Sequence, residues 1–186
     1  VGLHEDDTVE SCFNYGNIIG VDSNHEKSTE VGGVVGKNFA VVLYCGNIGT
    51  VSAHSFAGGV VAVNYHKMLG LYNGGMVRAN EEVGAITSLN ESEVEVVRCF
   101  YISGTATNGL DVGTPQTADQ AYNGTTAYSL NDVGYDKRWA QDGNHPSVAL
   151  PDGSDAVVHT VTFYGFDSAY YYLAATKHGG TAVTPP

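Results

Sequence analysis

Val31-Gly-Gly-Val-Val-Gly-Lys-Asn38 returns as Ala57-Gly-Gly-Val-Val-Ala-Val-Asn64 and again as Val83-Gly-Ala-Ile-Thr-Ser-Leu-Asn90. The copies begin at positions 31, 57 and 83, so the step from one to the next is 26 both times. Every copy sets a small apolar residue before a glycine (Gly32, Gly58, Gly84) and closes on an asparagine (Asn38, Asn64, Asn90). A second glycine, Gly33 or Gly59, follows in the first two copies, and Ala85 stands there in the third. A fixed period of this length is the mark of a chain that stacks one supersecondary unit on the next. The paired Val and Ile residues are β-branched and bounded by Gly and Asn, which reads as short strands between turns. One such unit cannot bury its apolar side alone; stacking pairs the strands in parallel and builds a continuous core.

A second pattern lies between the copies. Phe13-Asn-Tyr-Gly16-Asn-Ile18, Leu43-Tyr-Cys-Gly46-Asn-Ile48, Leu71-Tyr-Asn-Gly74-Gly-Met76 and Tyr101-Ile-Ser-Gly104-Thr-Ala106 each place a glycine three residues after a large apolar side chain. The glycines Gly16, Gly46, Gly74 and Gly104 follow one another at a nearly regular spacing, a little wider than that of the first pattern. The glycines of both patterns are expected where a tight coil turns within one or two residues, often at positive φ. The asparagines are expected to share that left-handed region and to bond nearby backbone. Together the patterns predict an all-β chain: a right-handed parallel β-solenoid (β-helix) of about four to five coils, with a C-terminal β-hairpin tail. An antiparallel sandwich also has many short strands, but gives no reason for a motif to return at a constant interval.

Composition agrees. The 186 residues include 24 glycines, 24 valines and only 9 leucines, which excludes a helical bundle or coiled coil. A hydrophobic share of 42% excludes wholesale disorder. Eight Lys and Arg against twenty Asp and Glu, a net charge of −12, argue against nucleic acid or an anionic membrane as partner. No apolar run approaches the length that spans a bilayer, so membrane insertion is not expected. Cys12, Cys45 and Cys99 are odd in number and lack a CxxC pair, which argues against a zinc site and a full disulfide framework. They read as small buried hydrophobes, or as one bridged pair with a thiol left over.

Beyond the repeats, residues 107–155 become polar and turn-rich, with Asn123-Gly124, Asp142-Gly-Asn-His-Pro146 and Asp152-Gly153. A stack of strands has open edges at its ends, and this segment is expected to cap one of them. The domain reading is therefore a solenoid with its cap over 1–155 and a tail over 156–186. Trp139 either plugs the open core or stacks on a sugar ring. In the tail, Val157-Val-His-Thr-Val-Thr-Phe-Tyr164 alternates as a strand, residues 165–169 turn, and residues 170–175 return. So short a segment is too small to hold a core of its own.

Chemistry-bearing patterns are sparse. No GxSxG elbow occurs, and His4, His25, His54, His66, His145, His159 and His178 show no HxH or HExxH spacing. Gly32-Gly33 and Gly58-Gly59 precede strands and lack the lysine of a phosphate loop. Glu91, Glu93 and Glu95 alternate with Ser92, Val94 and Val96, which would set three carboxylates on one strand face. That row is either a solvated face or a place where a calcium ion relieves the repulsion. No catalytic residue and no cofactor follow from these residues.

The Val31-to-Asn38 and Ala57-to-Asn64 segments, with the Phe13-Asn-Tyr-Gly16 type between them, resemble the GLUG-motif repeat of large bacterial surface proteins. That group includes adhesin-like proteins and non-catalytic parts of some secreted immunoglobulin-cleaving peptidases. The resemblance covers about residues 10–150, counting Leu130-Asn131, Trp139, Gly143 and His145-Pro146, which resemble the closing coil. His159-Thr-Val-Thr-Phe163 and His178-Gly-Gly-Thr-Ala-Val-Thr-Pro185 resemble the opening of an internalin B-repeat-type β-grasp module. The third copy, with Ala85 in place of the second glycine, departs from the pattern. The resemblance implies a non-catalytic module of a secreted or cell-wall-attached bacterial protein, a monomeric fragment of a larger multidomain chain. Its role would be cell adhesion or spacing, with a host protein or glycan as partner. The alternatives are a small polysaccharide-active β-helix enzyme and a purely structural stalk.

Overall fold

A computed structural model describes residues 2–20, 30–91, 93–107, 109–110, 112–131 and 137–149, and the backbone of 158–164 and 170–177. The readings at Asp152-Gly153, at the 165–169 turn, at His25 and at the 178–185 motif lie outside the described residues. The chain forms two compact units, Val1–Thr117 and Ala118–Pro186. The division falls inside the 107–155 segment that the sequence reading assigned whole to the solenoid.

In the first unit each coil lays down short strands on five faces, and equivalent strands of successive coils pair in parallel. The first face stacks Leu3–His4, Val35–Asn38, Val61–Asn64 and Leu89–Asn90. The second stacks Thr8–Glu10, Val41–Leu43, Met68–Leu69 and Val96–Val97. The third stacks Phe13–Asn14, Gly46–Asn47, Tyr72–Asn73, Phe100–Ile102 and Thr114–Gln116. The fourth stacks Ile18–Ile19, Val51–Ser52 and Val77–Arg78, and the fifth Glu30–Gly32, Phe56–Gly58 and Glu82–Gly84. This is the all-β parallel solenoid that the constant period predicts. The three copies lie on one another as read: Ala57 pairs with Val31 and Val83, and Asn64 with Asn38 and Asn90.

The second pattern aligns differently. Phe13 pairs with Gly46, and Gly46 with Tyr72, which pairs with Phe100. Gly16, Gly46, Gly74 and Gly104 therefore do not form one column. The true column is Asn14, Asn47 and Asn73, each followed two residues later by Gly16, Gly49 or Gly75. The step from Asn14 to Asn47 is 33, against 26 from Asn47 to Asn73. The step that follows, from Tyr72 to Phe100, is again slightly longer than the middle one. These unequal steps shifted the glycine spacing and produced the misreading.

Of the recurring glycines Gly104 is at positive φ as expected, whereas Gly16, Gly46 and Gly74 are not, and for the first pattern the reason is a different one. Among the described residues Gly32, Gly33, Gly58, Gly59 and Gly84 are not at positive φ. Backbone crowding requires them: a Cβ on Gly32, Gly58 or Gly84 would fall on the carbonyl oxygen of Val35, Val61 or Thr87, three residues ahead. Positive φ recurs in every coil at the corner between the second and third faces, at Ser11, Tyr44, Gly70 and Arg98, and occurs also at Asp7 and Glu93 between the first and second faces. Three of the first four are not glycine, so the corner between the second and third faces leaves no glycine signature in the sequence.

Inside the coils Val35, Val42, Cys45, Val60, Val61, Met68, Leu71, Ile86 and Cys99 form a contiguous buried core. Complete burial of each valine or leucine side chain is worth roughly 1.5–3 kcal/mol, and the stack repeats that gain at every turn.

The second unit contains two short helices that the strand-only reading did not anticipate, Ala118–Tyr122 and Thr125–Leu130. Helices of five and six residues do not persist alone. They are held by burial of Ala121, Thr126, Ala127 and Leu130. The Gly143-Asn144 turn joins Trp139–Asp142 to His145–Val148 as an antiparallel hairpin, with Gly143 at φ 55°. Asn131 ties this hairpin to the helix end. Its Oδ1 accepts from the backbone N–H of Arg138 and Trp139, and its Nδ2 donates to the Trp139 carbonyl at 2.8 Å. Val158–Tyr164 and Tyr170–Lys177 pair antiparallel, the hairpin expected of the tail.

Candidate functional surface

The repeating asparagines build two ladders along the stack, with Asn38, Asn47, Asn64 and Asn73 buried and Asn14 and Asn90 half-buried at the ends. In the first, Asn38 Nδ2 donates to Asn64 Oδ1 at 2.7 Å, and Asn64 Nδ2 to Asn90 Oδ1 at 2.8 Å. His4 stands at its near end, 2.6 Å from Asn38 Oδ1; an amide oxygen only accepts, so His4 Nδ1 carries the proton. In the second, Asn14 Nδ2 donates to Asn47 Oδ1 at 2.7 Å, and Asn47 Nδ2 to Asn73 Oδ1 at 2.9 Å. Each amide also closes its own turn. Asn47 Nδ2 donates to the Gly49 carbonyl, and the Gly49 N–H donates back to Asn47 Oδ1. Asn47 thus uses both donors and both acceptor positions, at zero exposure. A fully satisfied buried polar network of this kind rigidifies and specifies one register.

Asn38, Asn64 and Asn90 were singled out from the sequence; Asn14, Asn47 and Asn73 were missed as a set. The signal that finds them is Asn-x-Gly at 14, 47 and 73, which the Gly16–Gly46–Gly74 alignment obscured.

Trp139 is completely buried, so neither ring face is open for a sugar to stack on. Its role is to fill the second unit with Ala121, Ala127 and Leu130, which are also buried. Trp139→Ala is expected to destabilise this unit by about 3 kcal/mol, the low end for a tryptophan because so small a unit relaxes around the gap. Thermal melting followed by far-ultraviolet circular dichroism checks it.

Glu91, Glu93 and Glu95 do not line a strand face. They fall on the corner between Leu89–Asn90 and Val96–Val97, where Glu93 has a φ of 69°. The turn breaks the alternation that a strand would have imposed. Glu95 is instead paired with Lys67 on the preceding coil at 2.9 Å. Among the described residues no group of three or more His, Cys, Asp or Glu is placed to hold a metal ion.

The exposed feature with the most recognition chemistry lies beside the first ladder. Phe39 and Tyr65, each next after a ladder asparagine, stack with centroids 4.7 Å apart and planes 4° from parallel. Lys37 Nζ lies 5.8 Å from the Phe39 centroid and 5.7 Å from that of Tyr65, and 3.2 Å from Glu30 Oε1. Phe39 is 42% exposed. Aromatic edge, cation and carboxylate thus meet in one small patch. A cavity of about 250 Å³ opens near the first coil, lined by Gly2, Ile18, Glu30, Val31, Gly33 and Val34 among others. Among the described residues that line it, Glu30 supplies the carboxylate and is the partner of Lys37.

Among the described residues no helix is long and apolar enough to cross a membrane. Burial pushes the thiols of Cys45 and Cys99 up to about 12, so both are protonated and slow as nucleophiles at neutral pH. No protein-family model matches the chain, and neither a curated protein nor a solved structure does.

Proposed function

We propose that this chain is a non-catalytic module of a bacterial cell-surface or secreted protein, serving as a spacer that also presents an adhesive side. One observation carries the reading: the side chains that repeat from coil to coil are engaged inside the stack. The asparagines bond each other, the glycines admit neighbouring backbone, and the valines fill the core. What remains free to vary is the outer turns. The position after the first-ladder residue shows it, holding Glu5, Phe39, Tyr65 and Glu91 in successive coils. A scaffold whose core is indifferent to its turns suits recognition of an extended protein or glycan surface. The resemblance to GLUG-motif surface proteins supports the same reading and an extracellular location.

Screening the purified chain on a glycan array and against extracellular host proteins tests it. A ligand is expected whose affinity falls at least tenfold (about 1.4 kcal/mol) in a Phe39→Ala, Tyr65→Ala double variant of unchanged melting temperature. Silence in both screens removes the adhesive half and leaves a spacer.

A further inference from the structure

Cys12 and Cys45 occupy neighbouring places in one column of the stack. The residues that follow them, Phe13 and Gly46, are register partners, and the Gly46 N–H donates to the Cys12 carbonyl at 2.9 Å. The same bond recurs upward, from Tyr72 N–H to the Cys45 carbonyl and from Phe100 N–H to the Leu71 carbonyl, so the column runs Cys12, Cys45, Leu71, Cys99. The thiols share one orientation: Cys12 Sγ donates to the Glu10 carbonyl, Cys45 Sγ to that of Leu43 and Cys99 Sγ to that of Val97, each two residues back. The positive-φ corner at Ser11, Tyr44 and Arg98 sets each cysteine in that direction.

Paired parallel strands lie about 4.8 Å apart, inside the Cα range of roughly 4.4–6.8 Å that a disulfide spans. The Cβ atoms must approach by up to about 1 Å to reach the usual disulfide separation, a shift that the exposed side of the first coil can supply. Leu71 separates Cys99 from Cys45, which puts them two steps, about 9.6 Å, apart and beyond reach.

We propose that Cys12 and Cys45 are a redox pair that closes to a disulfide by exchange with a small-molecule disulfide such as oxidised glutathione, tying the first coil to the second. Cys12, exposed, is the entry point. Its thiolate attacks one sulfur of the small disulfide and expels one small thiolate. Cys45 then gives its proton to solvent, and its sulfur attacks that of Cys12, expelling the second thiolate. Two protein thiols and one small disulfide become one protein disulfide and two small thiols. Burial makes Cys45 a reluctant nucleophile, so this closure is the slow step and quickens as pH rises. The first coil exposes Leu3, Tyr15 and Ile19, and a bond to the second coil keeps it closed over the core.

The test incubates the full chain with oxidised glutathione, alkylates it in denaturant, and maps the digest by mass spectrometry. The expected product has lost about 2 Da, carries a Cys12–Cys45 cross-link with Cys99 alkylated, and melts roughly 5 °C higher until dithiothreitol is added. A Cys99→Ser variant, if it folds, is expected to give the same link. Glutathione retained on Cys12, a bridge that includes Cys99, a Cys12–Cys12 dimer or three alkylated thiols would each overturn the proposal.

Discussion

Asn47→Asp, the exchange of one amide nitrogen for oxygen, is expected to destabilise the coiled unit by about 5 kcal/mol at neutral pH. Asn47 has no solvent exposure, and its Nδ2 faces two acceptors, the Gly49 carbonyl at 2.8 Å and Asn73 Oδ1 at 2.9 Å. A carboxylate there turns two donors into an anion opposed by two oxygens. Asn47→Ala strands the same partners without adding a charge, and is expected to cost less, about 3 kcal/mol. The two variants separate further with pH. Burial and facing oxygens hold the new carboxyl's pKa in the folded state above its unfolded value of roughly 3.9. The folded state then binds the proton more tightly, so the aspartate variant is most stable below about pH 4 and loses stability as pH rises through the raised value. Melting curves of both variants from acid to neutral pH check this. An aspartate variant that melts with wild type across that range would show that the ladder is not stabilising.

The second large effect concerns two glycines in one column. Gly49→Ala is expected to cost at least about 4 kcal/mol, more than the roughly 1–3 kcal/mol usual for one extra methylene in a core. The new Cβ would land on the Gly16 carbonyl oxygen of the coil below and lie 3.1 Å from Asn14 Nδ2. The obstacle is backbone, and it sits where Asn14 and Asn47 bond, so opening the gap also stretches the second ladder. Gly16→Ala is the control. It occupies the same column one coil earlier, and the nearest atom to its Cβ is Asn14 Oδ1 at 3.8 Å. That change is expected to stay within about 0.5 kcal/mol of wild type. For a chain of this size, a loss of about 4 kcal/mol lowers the melting temperature by about 10 °C, so the two variants are easily told apart. Equal melting of both would mean that the coils are not packed in this register.

These two columns also show how far the sequence could be read. The Val31, Ala57 and Val83 copies were legible because no residue is inserted between them, and each register contact follows from adding the same step. The Asn14, Asn47 and Asn73 column was hidden because its first step is longer than its second, so counting forward from one glycine lands on the wrong residue. Gly46 looked like the partner of Gly16, whereas it pairs with Phe13. Glu91, Glu93 and Glu95 failed for a related reason: alternation specifies a face only within a strand, and a turn at Glu93 lies among them. The helices at 118–130 are too short for a helical period to stand out, and packing of Ala121, Ala127 and Leu130 creates them.

From the sequence alone came the class of architecture, the direction of strand pairing, the identity of one asparagine column and the hairpin in the tail. These depend on period and residue type, which are properties of a string. Only the tertiary structure decided why a glycine is needed, which thiols are neighbours, that Trp139 is internal and that the acidic row is a corner. Those depend on distances between atoms on different coils, and a step that takes in a few more residues changes every such distance without disturbing the local pattern.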